Sequence, residues 1–327
     1  MTHGENLFSE ASLPFAVAAS KQMESILRLA KRVAPYPTTV LITGETGVGK
    51  EVLASYIHRN SNRANHPFVK INCGAIPESL LESELFGYEP GAFTGARREG
   101  ALGLFEAANH GTILLDEISE LPPKAQSKLL RALQEREIRR VGGTWSKTVD
   151  VRVISSTNVN LREMIERGSF RQDLYYRLQV VQIEIPPLRQ RIPDIEALLD
   201  YYLTRLGEEF QLKKTFSPEA IGILKNYHWP GNVRELRNLV ESLLVTVEKD
   251  MIEAADLPAY MGYTPPPAGM RPLKEIVDQA ERKAIREALS SYSTYRAAEV
   301  LGINYTTLMR KINKLGIQYT HAPHGKK

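Results

Sequence analysis

The sequence predicts an α/β chain with a parallel sheet sandwiched by helices, then a small helical lid subdomain and a C-terminal all-α helix-turn-helix domain. Three observations predict it. Short apolar runs alternate with helical patterns up to about residue 190, which is the signature of a parallel sheet covered on both faces. From about Pro193 the pattern is wholly helical. Three consecutive prolines in Thr264-Pro265-Pro266-Pro267-Ala268-Gly269 then favour extended, semi-rigid chain and mark a boundary.

Thr38–Thr43 reads as a buried strand that runs into a glycine-rich loop, and Lys50–Asn60 as the helix after it. Phe68–Asn72, Thr112–Leu115, Val151–Ser156 and Val180–Ile185 are the further strands. Asp194–Glu208, Pro218–Tyr227 and Asn232–Val247 are the lid helices. Beyond the prolines, Leu273–Ser291 is a long amphipathic helix, followed by Tyr295–Leu301 and Tyr305–Lys314. Gly302 suits a helix C-terminus between the last two, and Asn304 suits the next N-cap. Two short helices joined by a Gly-containing turn form a helix-turn-helix. Ala297, Ala298, Leu301 and Leu308 are its expected core.

Composition narrows the setting. One cysteine, Cys73, excludes an intramolecular disulfide framework and fits a reducing, cytoplasmic compartment. No apolar run approaches the roughly 20 residues that span a bilayer, and the first residues lack a signal pattern, so no membrane role is expected. Residues 270–327 carry 11 Lys and Arg against 5 Asp and Glu, a net +6, leaving −2 for the rest of a chain whose total is +4. A basic module of this kind suits a polyanion such as nucleic acid.

Gly44-Glu45-Thr46-Gly47-Val48-Gly49-Lys50 fits the phosphate-loop pattern, with backbone N–H groups and a helix N-terminus turned toward phosphate. Lys50 would reach the β- and γ-phosphates. The general pattern continues with Ser or Thr, and here Glu51 follows. An apolar strand ending in Asp116 and Glu117 supplies one carboxylate to hold Mg²⁺ and one to orient or deprotonate water. Arg171, Arg177 and Arg234 are candidates for stabilising charge in the transition state. Between these two halves lies Gly91-Ala92-Phe93-Thr94-Gly95-Ala96, GAFTGA.

Taken in order, GETGVGKE (44–51), ESELFGYEPGAFTGA (82–96), GTILLDE (111–117), STN (156–158), FRQDLYYRL (170–178), PPLRQR (186–191) and WPGNVREL (229–236) resemble the bacterial enhancer-binding activators of sigma-54 RNA polymerase, a branch of the AAA+ ATPases. The resemblance covers residues 14–262, with a Fis-type helix-turn-helix over 273–317. It implies an N-terminal extension 1–13, an AAA+ α/β ATPase subdomain 14–190, a lid 191–263, a linker 264–272 and a DNA-binding domain 273–327. Glu51 is the usual residue of that family after the lysine. Asn72 matches its switch asparagine, which holds the catalytic glutamate, here Glu117. Thr157 and Asn158 match the γ-phosphate sensor, Arg171 and Arg177 the arginine fingers that reach a neighbouring subunit, and Arg234 the second sensor.

The resemblance therefore implies an Mg-dependent ATPase that remodels the closed sigma-54 polymerase–promoter complex. It implies a ring, usually a hexamer, when active and a dimer at rest. It implies that GAFTGA is the loop that contacts sigma-54: Gly91, Gly95, Ala92 and Ala96 permit a tight mobile turn, Phe93 an apolar anchor and Thr94 a polar contact. Tyr305, Thr306, Thr307, Arg310 and Lys311 would face enhancer DNA, expected to be palindromic. The segment before the ATPase match is too short to fold round a ligand, so a trans-acting regulator or a removed sensor is expected. The rival readings are a sigma-70 regulator with a vestigial ATP site and a AAA+ remodeller of other substrates. GAFTGA together with Lys50, Asp116 and Glu117 disfavours the first, and the helix-turn-helix the second.

Overall fold

The computed structural model describes residues 18–92, 99–262 and 273–317. Phe93, Thr94, Gly95 and Ala96, the N-terminal extension and the proline linker lie outside them. The chain divides into two compact units, Met1–Gly262 and Tyr263–Lys327.

The first unit is built on five parallel strands: β1 (Val40–Thr43), β2 (Phe68–Asn72), β3 (Thr112–Asp116), β4 (Arg152–Thr157) and β5 (Val181–Glu184), in the order β2-β3-β4-β1-β5. The five predicted strands all form, Phe68–Asn72 with its predicted bounds and the other four with ends displaced by one or two residues. Both faces of the sheet are apolar, as a doubly covered sheet requires. Leu41, Ile113, Leu115 and Val153 face one core. Val40, Ile42, Leu114, Ile154 and Ile183 face the other. The alternation within β1 and β3 is the period-two pattern of a strand.

Helices cover the sheet. α1 (Lys21–Val33), capped by the Ser20 side chain, and α2 (Lys50–Arg59) pack on one face. α3 (Glu78–Phe86), α4 (Leu104–Ala107), α5 (Pro123–Glu135), α6 (Leu161–Glu166) and α7 (Gln172–Leu178) cover the other. The buried Arg152 guanidinium donates to the carbonyls of Val33 and Ala34, satisfying the end of α1.

Two small antiparallel pairings escaped the sequence pattern. Gly87–Tyr88 pairs with Ala101–Leu102, at the base of the GAFTGA segment. Glu137–Arg139 pairs with Ser146–Thr148. Each is only two or three residues long, and Ser146–Thr148 is exposed throughout, so no apolar alternation announces it.

The lid consists of α8 (Ile192–Phe210), α9 (Pro218–Asn226) and α10 (Asn232–Thr246) around Trp229, Leu199 and Leu236. It is not wholly helical, as the sequence suggested. Thr215–Phe216 pairs in parallel with Met251–Ile252. That two-residue pairing is too short for a periodicity to reveal.

The second unit holds α11 (Leu273–Ser291), α12 (Thr294–Val300) and α13 (Tyr305–Leu315). Ala297, Ala298 and Leu308 are buried with Ile285, Ile312 and Leu315, and Leu301 packs against them half-buried. Gly302 has φ +65°, a left-handed turn that glycine adopts freely. Asn304 Oδ1 accepts from Thr307 N at 2.7 Å, which is the expected cap.

Candidate functional site

The register of the sheet brings the chemistry to one edge. Asn72 lies opposite Asp116, and Thr43 opposite Thr157, so the loops after β1, β2, β3 and β4 open at the same C-terminal edge. In open α/β sheets that edge is where ligands bind.

The loop Gly44–Gly49 leads from β1 into α2, whose N-cap is Gly49 at φ +104°. Lys50 begins the helix and is buried. Its Nζ donates to the carbonyls of Gly44 at 2.8 Å and Glu45 at 3.1 Å, which curls the loop back on itself. Burial pushes the Lys50 pKa down, while Asp116 and Glu117 pull it back up. Glu51 pairs with Lys70 at 2.9 Å and, being a carboxylate, offers no hydroxyl to a cation.

Asp116 ends β3 and accepts from Ser156 Oγ at 2.5 Å. Glu117 takes left-handed backbone, φ 56° and ψ 50°. For a non-glycine residue that costs about 1 kcal/mol or more, and such strain clusters at functional sites. Its carboxylate lies over Gly74, where a Cβ would come within 2.4 Å of Glu117 Oε2 and 3.3 Å of Asn72 Oδ1. Asn72 Oδ1 meanwhile accepts from Gly74 N at 2.8 Å and Ala75 N at 3.1 Å. Beside it, burial pushes the Cys73 thiol up to about 12, which leaves it inert as a nucleophile. Thr157 spends its hydroxyl on Val159, whereas Asn158 Nδ2 donates to Thr46 Oγ1 at 3.0 Å and so touches the phosphate loop.

The lid closes the site from the other side. Gly47 O accepts from Val233 N at 3.0 Å and Arg234 N at 3.3 Å. Gly47 has φ +81°, and a Cβ there would sit 2.3 Å from Gly231 O, so the contact tolerates only glycine. The buried Asn232 donates to Thr46 O and Glu45 Oε2, and accepts from Leu188 N. Arg189 grips Glu45 with two hydrogen bonds of 2.6 and 2.8 Å. Those bonds, with the one from Asn232, hold the Glu45 carboxyl down at about 2. Arg191 donates to Val48 O at 3.0 Å and pairs with Asp194 at 3.8 Å. Asp194 in turn accepts from Ala19 N, Ser20 N and Ser20 Oγ.

These contacts enclose a cavity of about 290 Å³ lined by the phosphate loop, Asp116, Glu117, Tyr202 and Arg234. Gly47, Val48, Gly49, Lys50 and Glu51 all contribute to its wall. The Arg234 guanidinium makes no hydrogen bond or ion pair among the described residues. Among those residues no cluster of three or more His, Cys, Asp or Glu could hold a metal. Two adjacent carboxylates do suit a magnesium ion that arrives with phosphate oxygens rather than one caged by protein alone. Sequence reasoning missed Arg189, Arg191, Asp194 and Asn232. Their motifs, PPLRQR and WPGN, were visible, but the contacts they make were not.

Arg171 and Arg177 stand apart from this cavity, on and beside α7. Arg171 is held by Asp173 at 2.7 and 3.0 Å. Arg177 is exposed, and its guanidinium makes no hydrogen bond or ion pair among the described residues. Of GAFTGA, Gly91 and Ala92 are described. The segment before them is tied to the 137–148 ribbon through Glu89 N to Val141 O and Val141 N to Gly87 O. Arg140 and Lys147 of that ribbon both bind Glu106 of α4.

In the second unit Tyr305 and Thr306 open α13, and Thr306 Oγ1 donates to Asn304 Oδ1. Arg310 is exposed and makes no side-chain ion pair among the described residues. Lys311 turns to Glu281 of α11 at 2.6 Å.

Family models match along the whole of this architecture: a Sigma-54 interaction domain at residues 16–184, an AAA+ ATPase lid domain at 189–271 and a helix-turn-helix domain at 270–318. The chain belongs to the sigma-54-dependent transcription activators. It is 43% identical over 94% of its length to the putative uric acid sigma-54-dependent transcriptional regulator UacR of Escherichia coli, of which it spans 55%. It is 44% identical over 91% of its length to Regulatory protein AtoC of the same organism, spanning 67% of it. The structure of NtrX from Brucella abortus in complex with ADP superposes with a TM-score of 0.70 at 35% identity, over 91% of this chain and 69% of that one. The chain is therefore an AAA+ ATPase, and its phosphate loop, Asp116 and Glu117 line the cavity at the sheet edge.

Proposed function

We propose that this activator hydrolyses ATP as an oligomeric ring and uses the energy to remodel a closed sigma-54 polymerase–promoter complex while its C-terminal unit holds enhancer DNA. The observation that carries the reading is the convergence of Lys50, Asp116, Glu117 and Arg234 on one cavity.

Each residue has a defined task there. Backbone N–H groups of Gly44–Gly49 and the N-terminus of α2 cradle the phosphates. Lys50 exchanges its two loop carbonyls for phosphate oxygens. Asp116, oriented by Ser156, holds the cation, and Mg²⁺ bound there would neutralise charge on the phosphates. Glu117 takes a proton from the attacking water. Asn72, across Gly74 from the Glu117 carboxylate, restrains it until the cycle permits attack. Asn158, with Thr157 behind it, reports the γ-phosphate to the sheet, and Arg234 reports it to the lid.

Arg171 and Arg177, remote from their own cavity, complete that of a neighbouring subunit, as a ring requires. A hexamer is the active form and a dimer, paired through α11, the resting one. The chain works in the cytoplasm. No helix among the described residues is long and apolar enough to cross a membrane.

GAFTGA makes the sigma-54 contact, with Phe93 as anchor and Thr94 as polar partner. Its base is tied to the 137–148 ribbon, which follows α5 in the same unit, so strain at the sheet edge has a covalent and hydrogen-bonded route to the loop. On the DNA side Tyr305, Thr306, Thr307, Arg310 and Lys311 are the candidate contacts. The Lys311–Glu281 pair would have to open for Lys311 to reach phosphate. The reading is tested with Phe93→Ala and Thr94→Ala. Each should abolish open-complex formation in transcription from a sigma-54 promoter while ATP hydrolysis stays within about twofold of wild type. Normal activation by either variant would defeat it.

A further inference from the structure

The DNA-directed side of the second unit is less cationic than its sequence. Lys311 is tied to Glu281 at 2.6 Å, Lys314 lies 3.9 Å from Asp278, and Arg296 is tied to Glu299 at 2.5 Å. Arg310 is left as the cation of α13 without a side-chain ion pair among the described residues. The same region carries two tyrosines in contact. Tyr295, the second residue of α12, is 72% exposed. Its ring lies parallel to that of Tyr305, the first residue of α13, with centroids 4.3 Å apart and planes 9° apart.

The placement of this pair has a direct meaning in a helix-turn-helix. The first helix of such a motif crosses the DNA backbone, and the N-terminal residues of the second meet base edges in the major groove. Tyr295 stands near the start of the first and Tyr305 at the start of the second. Resting on the proposed DNA-binding reading of this unit, we propose that Tyr295 is a DNA-backbone ligand. Its phenol hydroxyl donates to a phosphodiester oxygen, and its ring, stacked on Tyr305, holds that residue against the neighbouring base edge. The arrangement links a positioning contact to a reading contact through one aromatic stack. It also compensates for basic side chains that α11 and α12 neutralise internally. A neutral hydroxyl displaces no counterion, so this contact adds affinity without adding salt dependence.

The salt behaviour makes the test specific. The full chain is titrated into a fluorescein-labelled 40-base-pair duplex of mixed sequence by anisotropy, across a series of salt concentrations. Tyr295→Phe keeps the ring and the stack and removes only the hydroxyl. It should weaken binding about tenfold at every salt concentration, as expected for a lost hydrogen bond to a charged group, with the slope of log K against log salt unchanged. Arg310→Ala should instead lower that slope by about 1. Tyr295→Ala should weaken binding further than Tyr295→Phe.

Wild-type affinity in Tyr295→Phe, with Arg310→Ala impaired, would overturn the proposal and leave the DNA-binding reading standing. Absence of salt-sensitive binding by the wild-type chain would overturn both. Should Tyr295→Ala fail to fold, Tyr295→Phe decides alone.

Discussion

Asn232 is the residue on which the union of lid and phosphate loop turns. It is fully buried and sits at φ +52°. Its Oδ1 accepts from Leu188 N at 2.8 Å, and its Nδ2 donates to Thr46 O at 3.0 Å and Glu45 Oε2 at 3.2 Å. Asn232→Ala strands the buried Leu188 N–H and removes the donor to Thr46. Each group so orphaned costs about 1–3 kcal/mol. Alanine in left-handed backbone adds about 1 kcal/mol, because asparagine tolerates that region better. The first unit should therefore lose about 3 kcal/mol, a fall in Tm of roughly 6–12 °C for a unit of this size. If about 1.4 kcal/mol of that falls on the nucleotide-ready arrangement, KM for ATP rises roughly tenfold. Asn232→Gly removes the backbone strain but not the lost hydrogen bonds, so it should recover at most about 1 kcal/mol of the damage. Differential scanning calorimetry and steady-state ATPase assays read both quantities. A Tm within about 2 °C of wild type, together with an unchanged KM, would refute the argument that this side chain clips the lid to the loop.

Three further outcomes are expected. Glu117→Gln should bind ATP with near-normal affinity, read by a fluorescent analogue, yet hydrolyse it at least 10²-fold more slowly; hydrolysis within tenfold of wild type would remove Glu117 from its role. Arg177→Ala should cost more ATPase activity than Arg171→Ala, because Arg171 is already occupied by Asp173, and adding Arg177→Ala chains to catalytically dead Glu117→Gln chains should restore part of the activity, since a site with intact Glu117 then borrows its finger from a neighbour; no restoration would place the finger within one subunit. The Glu45 carboxyl is lowered from an ordinary 4.5 to about 2, so its stabilisation is complete above about pH 4.5 and is lost as pH falls toward 2. Since the Arg189 pair is about two-fifths exposed, solvent screening limits the effect to about 1 kcal/mol; Glu45→Gln should flatten stability across that window, and an unchanged acid profile would contradict the assignment.

The strands and the motifs at their ends were legible because they obey local rules. β1 and β3 are apolar on both faces, and each ends at a loop or carboxylate that the chemistry requires. The helix-turn-helix was equally plain, since Gly302 and Asn304 perform the turn and cap that their types suggest. What stayed hidden depends on contacts distant in sequence. Asp194 grips Ser20 across 174 positions, and Asn232 reaches Thr46 across 186. No periodicity encodes such pairs. The charge surplus of the last 58 residues was visible, but not that Glu281 would claim Lys311. The short ribbon at 137–148 left no trace, because Glu137–Arg139 spans a single alternation about the buried Ile138 and Ser146–Thr148 is exposed throughout.

The central claim is that the state of the nucleotide governs the sigma-54 contact. Native gel electrophoresis with purified sigma-54, with and without ADP plus a metal-fluoride mimic of the transition state, tests it most directly. A complex that forms only with the mimic is the predicted result. No complex in any state, with ATPase activity intact, would contradict it and give the GAFTGA loop another target.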